Sequence, residues 1–141
     1  MTELRPYVMV LDDSPESADT AAELLLLWGF EAQAFYSGIS ALAAVLHRRP
    51  TVILLDIGMP SMNGFVFAAH VREIPGCERT AVVAISGHTS DACLERGRGF
   101  GIDHYLFKPA DPGTLRRLVG LLMVSHERVG SGVLAATLSD S

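Results

Sequence analysis

Val52-Ile53-Leu54-Leu55-Asp56-Ile57-Gly58-Met59-Pro60-Ser61-Met62-Asn63-Gly64 is the stretch on which the fold turns. Its four leading apolar residues do not alternate with polar ones, so they read as a strand buried on both faces, central in a parallel sheet. A carboxylate ends the run. A turn punctuated by Pro and Gly follows, and a helical pattern then runs from Gly64 to Glu73, where Ile74-Pro75-Gly76 breaks it.

The same rhythm extends in both directions. Upstream, Tyr7 to Leu11 is another unalternating strand, and Asp12-Asp13-Ser14-Pro15 ends it while opening a helix, with Ser14 as cap and Pro15 in the first helical position. That helix is expected to run to about Trp28, with Ala18, Ala21, Ala22, Leu25 and Leu26 as its core stripe and Gly29 as its stop. Glu31 to Tyr36 alternates like an edge strand, and Ser37 to Arg49 reads as a helix stopped before Pro50. Downstream, Thr80 to Ser86 is the fourth strand and Ser90 to Phe100 the fourth helix. Asp103 to Phe107 is the fifth strand, and Asp111 to Val124 is the fifth helix, capped by Asp111. Five βα units imply an open, doubly wound α/β sandwich, because right-handed crossovers place helices on both faces of a parallel sheet. Two glycines, Gly97 and Gly99, weaken the fourth helix by about 1 kcal/mol each relative to alanine, so this helix is expected to be short or mobile.

A chain of 141 residues with 49% hydrophobic and 19% charged residues and a mean hydropathy of +0.31 matches a single globular domain. The expected division is a domain over residues 1–124 and a tail or linker over 125–141, where Gly130, Gly132 and serines interrupt the pattern. A net charge of -5 repels a phosphate backbone, so direct DNA binding is not expected. Cys77 and Cys93 are too few for a disulfide framework. No apolar run has the length of a signal-peptide core or a membrane span, so a cytoplasmic location without membrane attachment is expected. The five histidines share no ligand spacing, which argues against zinc. Of 11 basic residues only Lys108 is lysine.

In a sheet of this kind ligands bind beyond the carboxyl ends of the strands. Those ends carry Asp12 and Asp13, Asp56, Ser86-Gly87 and Lys108-Pro109. Three adjacent carboxylates raise one another's pKa and call for a cation, and an all-oxygen site with room for water and phosphate suits Mg²⁺. Lys108 adds a compact ammonium and Ser86 a hydroxyl donor, a set able to position and neutralise a transferring phosphoryl group. A carboxylate can itself be the nucleophile.

These residues resemble the receiver domain of bacterial two-component response regulators. Asp12-Asp13 matches its acidic pair, Asp56 through Gly64 its D-x-x-M-P-x-M-x-G segment, Ser86-Gly87 its hydroxyl and small residue, and Tyr105-Leu106-Phe107-Lys108-Pro109 its Y-L-x-K-P segment. The resemblance spans about residues 6 to 124 and implies a flavodoxin-like sheet in the order 2-1-3-4-5. It implies that Asp56 accepts a phosphoryl group from a histidine of a sensor kinase or phosphotransfer protein. Mg²⁺ would be held by Asp13, Asp56 and the Gly58 carbonyl, with Asp12 acting partly through water. Lys108 would pair with the phosphate. Ser86 would swing toward it and let Tyr105 move inward, repacking the face of the fourth helix, fifth strand and fifth helix for a downstream protein effector and leaving room for a phosphorylation-dependent dimer. Gly58 and His88 lie where side chains screen or admit the hydrolysing water. The family acts only on its own phosphorylation, so no enzyme in the ordinary sense is expected.

Three rival readings fit less well. An aspartate-dependent phosphohydrolase would carry a second aspartate two residues after Asp12, where Ser14 stands. A flavin module would need a hydroxyl- and amide-rich first turn in place of an acidic one. A degenerate docking receiver would not need the whole set of Asp12, Asp13, Asp56, Ser86 and Lys108. Pro109 to Ser141 leave no room for a DNA-binding or enzymatic effector, so the expectation is a stand-alone receiver or the receiver segment of a hybrid histidine kinase in a phosphorelay.

Overall fold

A computed structural model describes residues 6–57, 63–87 and 99–127. Five parallel strands, β1 (Val8–Leu11), β2 (Ala32–Phe35), β3 (Val52–Asp56), β4 (Ala81–Ser86) and β5 (His104–Phe107), form one sheet in the order β2-β1-β3-β4-β5. This is the expected topology. The register pairs Leu11 with Leu55, Asp56 with Ile85 and Ser86 with Phe107, so the strands end along one edge and hand their next residues to a common site.

Helices α1 (Pro15–Leu27), α2 (Gly38–His47), α3 (Gly64–Arg72) and a C-terminal helix (Pro112–Glu127) cover the sheet in two layers. One core joins Tyr7, Met9, Ile53, Leu55, Val82 and Ala84 to α2 and α3 through Ala41, Val45, Phe67 and Val71. The other joins Val8, Val10, Leu54 and Val83 to Ala18, Ala22 and Leu25 of α1 and to Leu115, Leu118, Val119 and Leu122 of the C-terminal helix. Alternate residues of each central strand thus face opposite layers, which is why those strands read as unbroken apolar runs.

The caps follow local chemistry. Ser14 Oγ accepts from Ser17 N, Asn63 Oδ1 from Val66 N, and Asp111 Oδ2 from both Thr114 N and its hydroxyl. Gly29 ends α1 at φ 97°, the left-handed conformation that favours glycine. The core stripe of α1 needs one correction. Leu26 is 53% exposed and Ala21 only partly buried, because the apolar residues of α1 exceed one face and the sheet takes the side bearing Ala18, Ala22 and Leu25.

The strands are a residue or so shorter than the sequence suggests, although burial continues at Tyr7 and backbone hydrogen bonds continue at Tyr7 and Asp103. Tyr7 lies just outside β1 yet is buried, with Arg48 4.2 Å over its ring and its hydroxyl donating to the Arg48 carbonyl. Asp103 precedes β5, with its N–H donating to the Val82 carbonyl at 2.9 Å and its carboxylate accepting from Val82 N at 2.8 Å. The C-terminal helix continues past Val124 to Glu127. The helix expected over Ser90 to Phe100 falls outside the described residues except at its last two, as do its expected mobility, His88, the tail after Glu127 and the segment Gly58 to Met62.

Arg72, at the end of α3, clamps the edge of the sheet opposite the strand ends. Its guanidinium donates to the carbonyls of Gly101, Cys77 and Thr80 and pairs with Asp103 Oδ2 at 2.7 Å. Gly101 has φ 94°, and a side chain there would run into Arg72.

Candidate functional site

Each candidate residue lies just at or beyond the end of a strand. Phe35 O holds Asp12 N at the end of β1, and Asp12 Oδ1 in turn accepts from Ser14 N at 3.0 Å, tying the carboxylate to the start of α1. Asp56 closes β3. Ile57 N donates to Ile85 O and Gly64 N donates to Ile57 O, a closure that seats the start of α3 against the end of β3. That closure explains Gly64: a Cβ there would stand 2.9 Å from Ile57 Cα, backbone that cannot swing aside.

Ser86 is buried at the end of β4, and its carbonyl accepts from Lys108 N at 2.9 Å. This bond sets Lys108 beside the site, where its Nζ lies 3.3 Å from Asp56 Oδ1. Asp56 is only 13% exposed while Lys108 is 48% exposed, so a largely covered carboxylate is joined to solvent through a half-exposed ammonium. Tyr105 packs against the α2 and α3 core and stacks on Phe107 at 6.3 Å, with ring planes 9° apart.

Oxygens of Asp12, Asp13 and Asp56 lie within 4.8 Å of one another. Burial, and next to it the charge of Asp56, push the Asp12 carboxyl above the ordinary carboxylate range, while the Ser14 amide opposes the rise. Clustered hard oxygens that repel one another fit Mg²⁺ by donor chemistry and by charge. Gly58, the expected carbonyl ligand, lies outside the described residues.

A carboxyl whose folded pKa is raised contributes stability below its unfolded pKa and loses it as pH rises through the folded value. The metal-free protein therefore carries a burden at Asp12 at neutral pH. Asp12→Asn should raise the melting temperature by a few degrees in chelator at pH 7.5 and lose that advantage as pH approaches 4. An unchanged or lowered melting temperature at pH 7.5 would show that the carboxylate is not strained.

Two features escaped the sequence reading. The first is the Arg72 clamp, where a helix-end arginine and a pre-strand aspartate have no periodic signature. The second is a cavity of about 510 Å³ beside Asp12 and Asp56, between α1 and the C-terminal helix. Leu54, Ile85, Leu24 and Leu115 line it, and Ser17, Thr20 and Ala21 leave it open. Small side chains at the spacing 17, 20, 21, one face of a helix, were the available signal.

A family model described as the response regulator receiver domain matches residues 8–120. PilG of Pseudomonas aeruginosa is 33% identical over 102 residues, spanning 72% of this chain and 76% of that protein. The DNA-binding response regulator MtrA of Mycolicibacterium smegmatis is 31% identical over 115 residues, and the chain spans about half of its length, 49%. Among solved structures, the chemotaxis protein CheY4 of Vibrio cholerae superposes with a TM-score of 0.79 at 29% identity, covering 83% of this chain and 98% of that one. Among the described residues no helix is long and apolar enough to cross a membrane.

Proposed function

The chain belongs to the response regulator receiver domain family of two-component signalling, and from that premise we propose that Asp56 is its phosphoacceptor, charged by a phosphohistidine of a kinase or phosphotransfer protein. The observation that carries this reading is the pairing of Lys108 Nζ with Asp56 Oδ1 at 3.3 Å beside the Asp12–Asp13 carboxylates. An oxygen of Asp56 attacks phosphorus, the P–N bond breaks, and the donor imidazole leaves with the electron pair and takes a proton. Asp12, Asp13 and Asp56 would hold Mg²⁺, which when bound offsets the charge of the phosphoryl oxygens. Lys108 neutralises further charge and orients the acceptor carboxylate. The cavity along α1 offers the donor a seat next to Asp56.

Once phosphorylated, Asp56 presents a dianion that attracts Lys108 and the Ser86 hydroxyl. Movement of Ser86 frees space against which Tyr105 repacks, altering the surface around β5 for a downstream protein. Reception on a stand-alone protein and reception within a hybrid kinase use the same step.

The test uses a ³²P-labelled phosphohistidine donor. Label should pass to the chain with Mg²⁺, stay on the donor in EDTA, and be released from the chain by hydroxylamine, which cleaves acyl phosphates. Hydroxylamine-resistant label would contradict an aspartyl phosphate. Lys108→Arg keeps the charge but replaces a compact ammonium by a planar fork. It should still accept phosphoryl groups yet lose most of the phosphorylation-induced change in amide exchange over residues 104–107; a response like that of the unaltered protein would remove the special role of lysine.

A further inference from the structure

We infer that Phe107 is a positioning residue of the switch: its ring, stacked on Tyr105 and set directly beside Ser86, holds Tyr105 in its resting position until Asp56 carries a phosphoryl group. The inference rests on the proposed movement of Ser86 and Tyr105. It adds a residue for which neither the motifs nor the phosphoryl chemistry has a use.

The sheet register places the parts. Val82 and Ala84 of β4 face the layer of α2 and α3, and Val83 faces the layer of α1 and the C-terminal helix. By the two-residue period of a strand, Ser86 shares the face of Ala84. On β5, Leu106 packs into the α1 layer and Tyr105 into the other, so Phe107, two residues on, stands on the face of Tyr105. Ala84 pairs in register with Tyr105, and Ser86 with Phe107. One face therefore carries two small side chains on β4 beside two aromatic rings on β5, and Tyr105 lies on the diagonal from Ser86.

Phe107 adjoins each part proposed to move. Lys108 follows it in the chain, and the Lys108 N–H donates to the carbonyl of Ser86 at 2.9 Å. The Phe107 ring lies 6.3 Å from that of Tyr105 with planes 9° apart. Offset parallel rings attract over centroid distances of roughly 4.5–7 Å. A Tyr105 ring that turns along the diagonal toward Ser86 leaves the plane it shares with Phe107, so the stack favours the resting position. Core packing does not account for Phe107, which is 38% exposed and belongs to neither core. An attraction of this kind shifts a two-state equilibrium about fivefold.

¹⁹F NMR of the full chain labelled with 3-fluorotyrosine tests the inference. The chain has three tyrosines, and Tyr105→Phe identifies the Tyr105 resonance. Its shifts without and with acetyl phosphate plus Mg²⁺ mark the resting and phosphorylated positions. Phe107→Leu keeps apolar bulk and removes the ring; without phosphorylation, its population in the phosphorylated position should rise about fivefold. Phe107→Tyr, which keeps the ring and adds a resonance of its own, should match the unaltered protein. The resonance of Tyr7, a buried ring, should stay in place in every variant and reports an intact fold. A Tyr105 resonance in Phe107→Leu that matches the unaltered protein would overturn the inference, as would a Phe107→Tyr variant that behaves like Phe107→Leu. Intact mass separates the two levels of the account. A normal phosphoryl gain with an unshifted Tyr105 in Phe107→Leu refutes the role of Phe107 alone, whereas no gain in the unaltered protein contradicts the phosphoacceptor reading and this inference with it.

Discussion

Replacing Asp13 with alanine should weaken Mg²⁺ binding about 100-fold, read by calorimetric titration, while the fold stays intact. Asp13 is exposed at the start of α1 and takes no part in either core. Its removal leaves two carboxylates where three lay within 4.8 Å. One charge-assisted contact is worth about 1.5–3 kcal/mol, and 100-fold corresponds to about 2.7 kcal/mol. Asp13→Asn should fall between the two, since it keeps an oxygen donor and loses the charge. Equal affinities in all three proteins would place the cation elsewhere. On the proposed role of the cation, the same variant should accept label from the phosphohistidine donor far more slowly.

The second large effect is on stability. Arg72→Ala should cost about 3 kcal/mol in urea denaturation, the range for losing a partly buried, charge-assisted set of hydrogen bonds. Without the guanidinium, the carbonyls of Gly101, Cys77 and Thr80 lose a donor and Asp103 loses its counter-charge. Arg72→Lys should recover little, because a single ammonium cannot reach in the directions of a planar fork. A loss below about 1 kcal/mol for Arg72→Ala would mean that water replaces the clamp at little cost. The clamp ties the end of α3 to the residues that enter β5, the strand that delivers Lys108, so the loss is expected to reach the site as well.

The contrast between Lys108 and Arg72 shows what a sequence discloses. Lys108 was legible because it follows a strand, and strand ends in this architecture converge. Asp12, Asp56 and Ser86 were legible for the same reason, and the structure brings Asp12, Asp13 and Asp56 together and pairs Lys108 with Asp56. The central strands were legible because burial on both faces suppresses alternation. Arg72 and Asp103 were not, since their meeting depends on where the end of α3 passes the residue before β5, and no local period encodes that. The fate of Leu26 was also hidden. α1 carries four successive leucines, Leu24 to Leu27, and the sequence does not say which of them the sheet will cover. The same excess of apolar residues leaves Leu26 and Leu27 exposed at the end of α1. Strand boundaries shifted by a residue or so at Tyr7 and Asp103, where packing and backbone hydrogen bonds taper off gradually and no sequence period marks the last paired residue.

Lys108 is the sole lysine among 11 basic residues, and its partner is the carboxylate proposed to carry the phosphoryl group. The most direct test of that proposal is the intact mass of the protein after incubation with acetyl phosphate or phosphoramidate and Mg²⁺, compared with Asp56→Asn treated in the same way. The unaltered chain should gain the mass of one phosphoryl group and the variant none. A gain of the same mass by the variant, or no gain by the unaltered chain, would contradict Asp56 as the phosphoacceptor.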